Sequence, residues 1–284
     1  MGYATPDTLA DAVAHLAAGQ PRIIAGGTDF FPALGDRPAP AEILDISRID
    51  ELRTISRTAN GWRIGAAARW SDIIKADLPA CFDCLKLAAR EVGSLQIQNA
   101  GTIAGNLCNA SPAADGVPPL LTLDARVELT STKGTRELAL SDFITGVRKT
   151  ALETGEIVSA ILIPAMPEGG RGHFLKLGAR KYLVISIAMV SAVTWTDAQG
   201  AIAGARVAVG SCSAVATRLP GLEAALPGKT ASDLAAMPEI WSAHLSGLAP
   251  ISDIRGSDAY RLDAAQEICR SAVLATLSGG SADG

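Results

Sequence analysis

Two glycine-rich segments carry the residue types best suited to holding an anion. The first, "AGGTDF" at residues 25–30, follows a β-branched run, and the second, "GTIAGN" at residues 101–106, follows an amphipathic run. Glycine lets a ligand reach the main chain, and exposed N–H groups in such turns form concavities that attract phosphate. Each segment alone is also consistent with an ordinary tight turn. Together, the two segments favour a ligand of dinucleotide size.

The longer stretch around the second segment, "NAGTIAGNLCNASPAADGVPPLL" at residues 99–121, is polar and carries little side-chain bulk. It shows neither strand alternation nor three–four helical spacing until its last few residues, so we predict a loop that leads into an apolar helix. Asp115 has two interpretations at this place. It caps that helix, since Asp is a good N-cap, or its carboxylate accepts hydrogen bonds from a ligand. The polar side chains beside the two segments are Thr28, Asp29, Asn106, Asn109 and Asp115.

Other familiar binding and catalytic motifs are absent from the sequence. There is no G-x-G-x-x-G fingerprint, so an ordinary Rossmann site is not supported. "PGKT" at 227–230 resembles the end of a P-loop, but position 223 is Glu223 instead of glycine and no strand precedes it. With no G-x-S-x-G elbow and no usefully spaced carboxylate pair, the sequence does not indicate a self-sufficient hydrolase.

The cysteines do not indicate a disulfide framework or a metal site. There are five, an odd number in a chain with no visible secretory signal, which favours reduced thiols. Cys81 and Cys84 form a single CxxC, which we interpret as ordinary core or surface residues. A zinc site would need a second ligand pair, and the histidines lie in no such spacing. We therefore predict no metal in this chain.

Composition limits the class of protein further. The chain has 284 residues, 48% of them hydrophobic, and a formal net charge of −4, which argues against a nucleic-acid partner. The longest apolar run, residues 182–195, is too short and too interrupted to cross a bilayer. Without a basic and then apolar N-terminal region, no secretory signal is visible. We predict a cytoplasmic enzyme or enzyme subunit with no membrane span.

The surrounding patterns predict a mixed α+β fold in two domains. A capped helix at residues 5–19 precedes a short strand that breaks at Gly26, and a second strand follows in "EILDISRI". Asn60-Gly61 and Lys133-Gly134 each mark a hairpin. Beyond the loop "AMPEGGRGH", residues 174–212 predict long antiparallel strands or a strand–helix–strand unit, and the tail from Leu219 predicts helices. We place the domains at residues 1–166 and 167–284.

Four motifs in order resemble one family. They are "IIAGGTDF", "QIQNAGTIAGNLCNASPAAD", "GEIVSAILIP…FLKLGARKYLVISIA" and "SDIRGSDAYR". This set is similar to the FAD-binding medium subunit of the molybdenum hydroxylases, which include carbon monoxide dehydrogenase and xanthine dehydrogenase. The resemblance covers nearly the whole chain. It implies an N-terminal FAD-binding region of two α/β lobes and a smaller C-terminal domain of antiparallel sheet and helices.

The resemblance also implies a set of FAD-binding residues. Residues 25–29 and 102–106 would surround the diphosphate with main-chain N–H groups, and Thr28 and Thr102 would add hydroxyl donors. Asn109 and Asp115 would reach the ribityl and flavin side. Val158 would pack on the flavin ring and Lys176 would lie near its polar edge, although a solvated surface lysine is an alternative for Lys176. The full predicted set is Ala25, Gly26, Gly27, Thr28, Asp29, Phe30, Thr102, Ile103, Ala104, Gly105, Asn106, Asn109, Asp115, Val158 and Lys176.

The sequence departs from the family pattern at one residue and lacks one optional feature. Ala104 stands where the family usually has glycine, and its methyl group could narrow the approach to the diphosphate. Some relatives carry an iron–sulfur insertion in this subunit. Here no cysteine cluster lies between "NLCNASPAAD" and "GVPPLL", so no iron–sulfur centre is expected in this chain.

By resemblance, the chain passes electrons within a hetero-oligomer. A large subunit would hold the molybdenum cofactor, and a small subunit would pass electrons from two [2Fe–2S] clusters through FAD to an external acceptor. Two other functions stay open. A stand-alone flavin oxidoreductase of the vanillyl-alcohol oxidase type would need its own acid–base residues, and the tail shows no obvious set. A non-catalytic assembly scaffold would not need the intact glycine pairs.

Overall fold

The structure is a computed structural model that describes residues 2–181 and 183–278. Tyr182, which belongs to the third quoted motif and begins the longest apolar run, lies outside the described residues. The architecture mixes helices with several mostly antiparallel sheets, which confirms the predicted α+β class.

The described strands are β1 (Gly2–Ala4), β2 (Arg22–Ile24), β3 (Glu42–Asp45), β4 (Ile55–Thr58), β5 (Gly61–Gly65), β6 (Arg126–Ser131), β7 (Gly134–Ala139), β8 (Ile144–Gly146), β9 (Lys149–Thr150), β10 (Ile157–Pro164), β11 (Arg171–Leu177), β12 (Ala188–Thr196), β13 (Ile202–Gly210) and β14 (Thr217–Arg218). The described α-helices are α1 (Leu9–Ala18), α2 (Phe30–Leu34), α3 (Trp70–Lys75), α4 (Asp83–Glu91), α5 (Leu95–Ala100), α6 (Ile103–Asn109), α7 (Val117–Thr122), α8 (Leu140–Phe143), α9 (Pro220–Ala225), α10 (Ala231–Ala236), α11 (Glu239–Ser242) and α12 (Asp258–Leu277).

The chain divides into two compact units that are not continuous in sequence. Unit 1 comprises the described residues of Met1–Ala76, Leu95–Ala110 and Asp124–Ala165. Unit 2 comprises those of Asp77–Ser94, Ser111–Leu123 and Met166–Gly284. Both glycine-rich segments therefore lie in unit 1, whereas Asp115 and Lys176 lie in unit 2.

Unit 1 contains two sheets. Strands β1, β3 and β2 form a parallel sheet in that order, and α1 provides the crossover between β1 and β2. Helix α1 begins where the Thr8 side chain accepts from the Asp11 N–H, and it buries Val13 and Leu16, as its spacing predicts. Strands β4, β5, β10, β6 and β7 form an antiparallel sheet. Both predicted hairpins, β4–β5 and β6–β7, are confirmed.

The predicted loop over residues 99–116 is wrong in part, because it contains helix α6. This helix buries Ile103, Ala104 and Leu107, and it is followed by the buried Ala110. These positions do follow helical spacing, but alanine contributes little apolar signal beside so many polar neighbours. The predicted apolar helix after this stretch is confirmed as α7, every residue of which is buried.

Unit 2 is built on the antiparallel sheet β11-β12-β13-β14. Its central strand β12 is buried from Ala188 to Thr194, which explains why the sequence there is almost continuously apolar. Of the two predicted alternatives, the long antiparallel strands are confirmed and the strand–helix–strand unit is wrong. The helical tail is confirmed as α9 to α12, and buried residues of α12 share a core with β12 and β13.

Three further features bear on function. No described helix is long and apolar enough to cross a membrane. Across residues 2–181 and 183–278, no group of three or more His, Cys, Asp or Glu side chains is arranged to hold a metal ion. The five cysteines are free thiols.

Candidate functional site

The first glycine-rich segment presents a row of uncommitted main-chain N–H groups. Strand β2 ends at Ile24, and α2 begins at Phe30. Between them the chain turns through Gly27, whose φ of +68° is in the left-handed region that favours glycine. None of the N–H groups from Gly26 to Phe30 donates a hydrogen bond to a described residue. A run of such donors forms a concavity suited to an anion.

The two glycine-rich segments pack directly against each other within unit 1. A side chain at Gly26 would overlap the main-chain carbonyl oxygen of Ala100, so only glycine allows this approach. From the other side, a Cβ atom at Gly101 would lie 3.4 Å from the Thr28 Oγ1 atom. The structure therefore joins two segments that lie more than 70 residues apart in sequence into one surface.

Helix α6 contributes a polar stripe to the same unit. Thr102 is its N-cap, and the Thr102 side chain accepts a hydrogen bond from the Gly105 N–H. Residues 102, 105, 106 and 109 follow the spacing that places side chains along one helix face. Gly105 is exposed, and Asn106 and Asn109 are partly exposed. The residues of the opposite face are buried in unit 1.

The second segment does not offer the main-chain donors that we predicted. The Ile103 N–H donates to the Ala68 carbonyl, and the Ala104 N–H donates to the Ala66 carbonyl. The Gly105 N–H donates to the Thr102 Oγ1 atom and the Asn106 N–H to the Thr102 carbonyl. These four N–H groups are therefore committed inside the chain. The predicted donor role is corrected for residues 103–106, because they form the first turn of a helix instead of an open loop.

The residues of unit 1 fit the predicted FAD. The five N–H groups from Gly26 to Phe30 provide donors for a diphosphate. Asn106 adds an acceptor, because its Oδ1 atom is buried and accepts no hydrogen bond from a described residue. A buried polar atom without a partner is costly in a folded protein. A ligand that bears phosphate oxygens and hydroxyl groups could accept hydrogen bonds from these N–H groups and donate one to the Asn106 Oδ1 atom.

Ala104 does not crowd this surface. Its side chain is buried, it lies inside α6, and its φ is not in the left-handed region. Because successive residues of an α-helix are about 100° apart, the Ala104 methyl group lies roughly opposite to residues 102, 106 and 109 of the polar stripe. The buried side chains of Ile103 and Ala104 therefore support α6 instead of lining its polar stripe.

Asn109 is held by Arg148, a residue that the sequence did not single out. The Arg148 Nη1 atom donates to both the main-chain carbonyl and the side-chain Oδ1 atom of Asn109. The Arg148 N–H also donates to the Ala110 carbonyl, at 2.8 Å. Arg148 lies in the turn between β8 and β9 with a φ of +58°, which is uncommon for a residue other than glycine.

Val158 lies in β10, and its side chain is buried. It pairs with Leu129 of β6 beside a bulge, because the register shifts between Val158 and Ala160. Bulges re-aim side chains and often lie next to functional sites. The role of Val158 toward a flavin ring stays a prediction.

In unit 2, Asp115 and Lys176 form a buried ion pair. Asp115 Oδ2 lies 2.8 Å from Lys176 Nζ, and Ser186 Oγ donates to Asp115 Oδ1 at 2.9 Å. Lys176 Nζ also donates to the Glu91 carbonyl. Burial raises the pKa of Asp115, and both Lys176 and Ser186 oppose that rise.

This geometry removes two of the predicted alternatives. The N-cap of α7 is Gly116, and no side-chain hydrogen bond caps that helix, so Asp115 is not a helix cap. The Lys176 side chain is only 5% exposed, so Lys176 is not a solvated surface lysine. One hint of Ser186 is present in the sequence, as a hydroxyl within an otherwise apolar run. No such hint is present for Arg148. The predicted roles of Asp115 and Lys176 toward a flavin stay predictions.

Comparisons with known proteins show the family to which this chain belongs. Residues 1–166 match the model of the FAD binding domain in molybdopterin dehydrogenase, and residues 173–276 match the CO dehydrogenase flavoprotein C-terminal domain. The nicotinate dehydrogenase FAD-subunit of Eubacterium barkeri is 40% identical over 176 residues. That alignment spans 59% of this chain and 58% of that protein. The glyceraldehyde dehydrogenase medium chain of Sulfolobus acidocaldarius is 31% identical over 91% of this chain and 92% of its own.

A solved structure shares the whole fold. Reconstituted CO dehydrogenase from Oligotropha carboxidovorans contains a chain that superimposes with a TM-score of 0.89 at 28% identity, covering 99% of this chain and 98% of that one. Fold and site together define a flavoprotein with an FAD-binding domain. The chain belongs to the family of FAD-binding medium subunits of molybdenum hydroxylases, and it is a subunit of an FAD-dependent oxidoreductase.

Proposed function

We propose that this chain holds FAD in unit 1 and passes electrons through it, from [2Fe–2S] clusters of a partner subunit to an external acceptor. The observation that carries the proposal is the joined surface of the two glycine-rich segments, with its row of free N–H groups at residues 26–30. The family, which is that of medium subunits, supports the electron-transfer role.

The residues of this chain would bind and orient the cofactor. Main-chain donors of residues 26–30 would hold the diphosphate, and Thr28 and Thr102 would add hydroxyl donors. Asn106 and Asn109 would form hydrogen bonds with the ribityl side of the ligand. Bound FAD would supply the ability to take up electrons singly and release them in pairs. Because that chemistry belongs to the cofactor, the chain needs no catalytic acid or base of its own.

The names of the relatives support a substrate that is chosen on another chain. Relatives with this fold are named for nicotinate, for glyceraldehyde and for carbon monoxide. A subunit that occurs in enzymes with such different substrates would carry out the step that these enzymes share, which is electron transfer. We therefore propose a molybdenum-cofactor large subunit and a two-[2Fe–2S] small subunit as partners.

We also propose residues 1–166 as the FAD-binding domain and 167–284 as the C-terminal domain, which the bounds of the two family matches support. The cytoplasmic location stays a prediction. A stand-alone oxidase of the vanillyl-alcohol oxidase type, or a scaffold without cofactor, would each behave differently in the two experiments below.

The purified chain is expected to carry one FAD without a covalent bond. Acid denaturation should release the flavin to the supernatant, where its absorbance and chromatographic retention identify FAD. Covalently held flavin would stay with the precipitate and contradict the proposed contacts. A colourless protein that also fails to take up added FAD would favour the scaffold.

Expressed alone, the chain is expected to oxidise no substrate efficiently and still to accept electrons from an artificial donor such as NADH or dithionite. Purification from its native source through an affinity tag should recover a large molybdenum-containing chain and a small cysteine-rich iron–sulfur chain, identified by mass spectrometry and metal analysis. Rapid substrate oxidation by the isolated chain would overturn the electron-transfer role and favour the stand-alone oxidase.

A further inference from the structure

We propose that Arg148 is a positioning residue that fixes the side-chain amide of Asn109, so that Asn109 meets FAD as a hydrogen-bond donor. The ligand atom that Asn109 recognises is then an oxygen acceptor. This inference rests on the proposed FAD site and assigns a role to a residue outside both glycine-rich segments.

The contacts between the two residues are specific. A single guanidinium nitrogen, Arg148 Nη1, donates to the Asn109 carbonyl at 3.1 Å and also to the Asn109 Oδ1 atom. The main-chain N–H of Arg148 donates to the next carbonyl, that of Ala110, at 2.8 Å. Arg148 thereby binds the end of α6 through both its main chain and its side chain, although it lies 39 residues from Asn109.

The chemistry of arginine decides the orientation of the amide. A guanidinium has donors only, so it contacts the oxygen of an amide and never its NH₂ group. With Oδ1 held by Arg148, the Nδ2 group of Asn109 makes no hydrogen bond to a described residue and remains available for a ligand. Asn109 continues the polar stripe of α6 one turn beyond Asn106. The stripe then offers an acceptor at Asn106 and a donor at Asn109.

Backbone geometry indicates that the contact is built into the fold. Ala110 and Arg148 both have a φ in the left-handed region, +45° and +58°, although neither is glycine. Such residues persist only where the surrounding contacts hold them, and they are frequent at ligand sites. Arg148 also satisfies carbonyl groups that the end of a helix leaves unpaired. A purely structural role for Arg148 is therefore the competing explanation, and the experiment must separate the two.

Asn109→Asp separates them because aspartate keeps the acceptor and loses the donor. The new carboxylate would form a charged hydrogen bond with Arg148, so the apo chain should be at least as stable in urea unfolding. Its affinity for FAD should fall by roughly tenfold or more, since one donor is lost. FAD binding would be measured by fluorescence titration of the full-length chain after removal of its flavin.

Arg148→Gln tests the positioning step itself. Glutamine can present either a donor or an acceptor, so the Asn109 amide is no longer held in one orientation and FAD affinity should fall. The double variant should bind FAD no more weakly than Asn109→Asp alone, because both changes act on one contact. Arg57→Gln, at an exposed arginine of β4, is the control for loss of one positive charge and should bind FAD as the natural chain does.

The outcomes are distinct. Weaker FAD binding in both single variants, with a non-additive double variant, supports the inference. Unchanged or tighter binding by Asn109→Asp would overturn it, and so would unchanged binding by Arg148→Gln. A natural chain that binds no FAD would instead refute the proposed function on which the inference rests.

Discussion

Asp115→Leu and Lys176→Met, made one at a time, are each expected to lower the free energy of unfolding by about 3–5 kcal/mol. Each change removes one partner of a buried ion pair and leaves the other charge without compensation. The pair is well shielded, because the side chains of Lys176 and Asp115 are only 5% and 11% exposed. Water can therefore do little to solvate the charge that remains.

The double variant is expected to be much less destabilised than either single variant. Burial raises the pKa of Asp115, so the cost of removing this carboxyl from water exceeds what Lys176 and Ser186 return. A pair with that balance can be replaced by apolar side chains of similar volume at little cost. We therefore expect the pair to add little net stability to unit 2.

The free energy of unfolding should depend on pH because the pKa of Asp115 is raised. Because its pKa is raised on folding, the Asp115 carboxyl holds its proton more tightly in the folded chain than in the unfolded chain. Its contribution to stability is full in acid, below the unfolded pKa, and it is lost as the pH rises through the folded pKa. Asp115→Leu, which lacks this carboxyl, should lack this part of the decrease in stability with rising pH.

Urea unfolding of the flavin-free chain would measure these effects. Trp241 is buried in unit 2 and reports on its unfolding by fluorescence. Arg270→Met is the control, since it breaks the exposed pair with Glu267 in the same unit and should cost no more than about 1 kcal/mol. Additive losses in the double variant, instead of mutual compensation, would show that Asp115 and Lys176 act separately.

Features set by nearby residues could be predicted from the sequence. Helix α1 has a cap, an apolar stripe and a terminal glycine within the twelve residues from Thr8 to Gly19, and both hairpins have their turn residues between alternating strands. The long strands of unit 2 could be predicted only as one of two alternatives, because β12 is buried on both faces and its nearly continuous apolar run is also consistent with a buried helix. Each of these signals lies inside the element that it specifies.

Helix α6 could not be recognised because its apolar face is short. Its buried residues are Ile103, Ala104 and Leu107, and the glycine and asparagine residues between and after them mask this spacing in the sequence. What makes it a helix comes from elsewhere in unit 1. The carbonyls of Ala66 and Ala68 accept the N–H groups of its first turn, which no local pattern reveals.

The polar contacts of the candidate site were missed for a similar reason. Arg148 reaches Asn109 across 39 residues, and Lys176 reaches Asp115 across 61. The sequence indicated three of these residues as polar groups near a ligand. Tertiary packing determines which polar atoms form hydrogen bonds inside the chain. The remaining polar atoms are the ones that are free to bind a ligand.

Gly27→Val is expected to weaken FAD binding by about a hundredfold or more and to leave most of the fold intact. Gly27 has a φ of +68°, where a β-branched residue is strained by about 1–3 kcal/mol. Its new side chain would also meet the ring of Phe31, 2.7 Å from the Cβ position. We expect the segment to relieve both problems by changing its turn, which would displace the free N–H groups of residues 26–30.

The size of the effect follows from the donors that are lost. If two hydrogen bonds to a charged diphosphate fail, each contributes roughly 1.5–3 kcal/mol, which corresponds to the stated loss of affinity. Gly35→Val is the matched control, since Gly35 also has a left-handed φ, +54°, but has no atom within 4 Å of its Cβ position. The Gly35→Val variant should suffer backbone strain at its own position and still bind FAD. Equal flavin content in both variants after gel filtration, with equal affinity on titration, would show that the first glycine-rich segment does not hold the diphosphate.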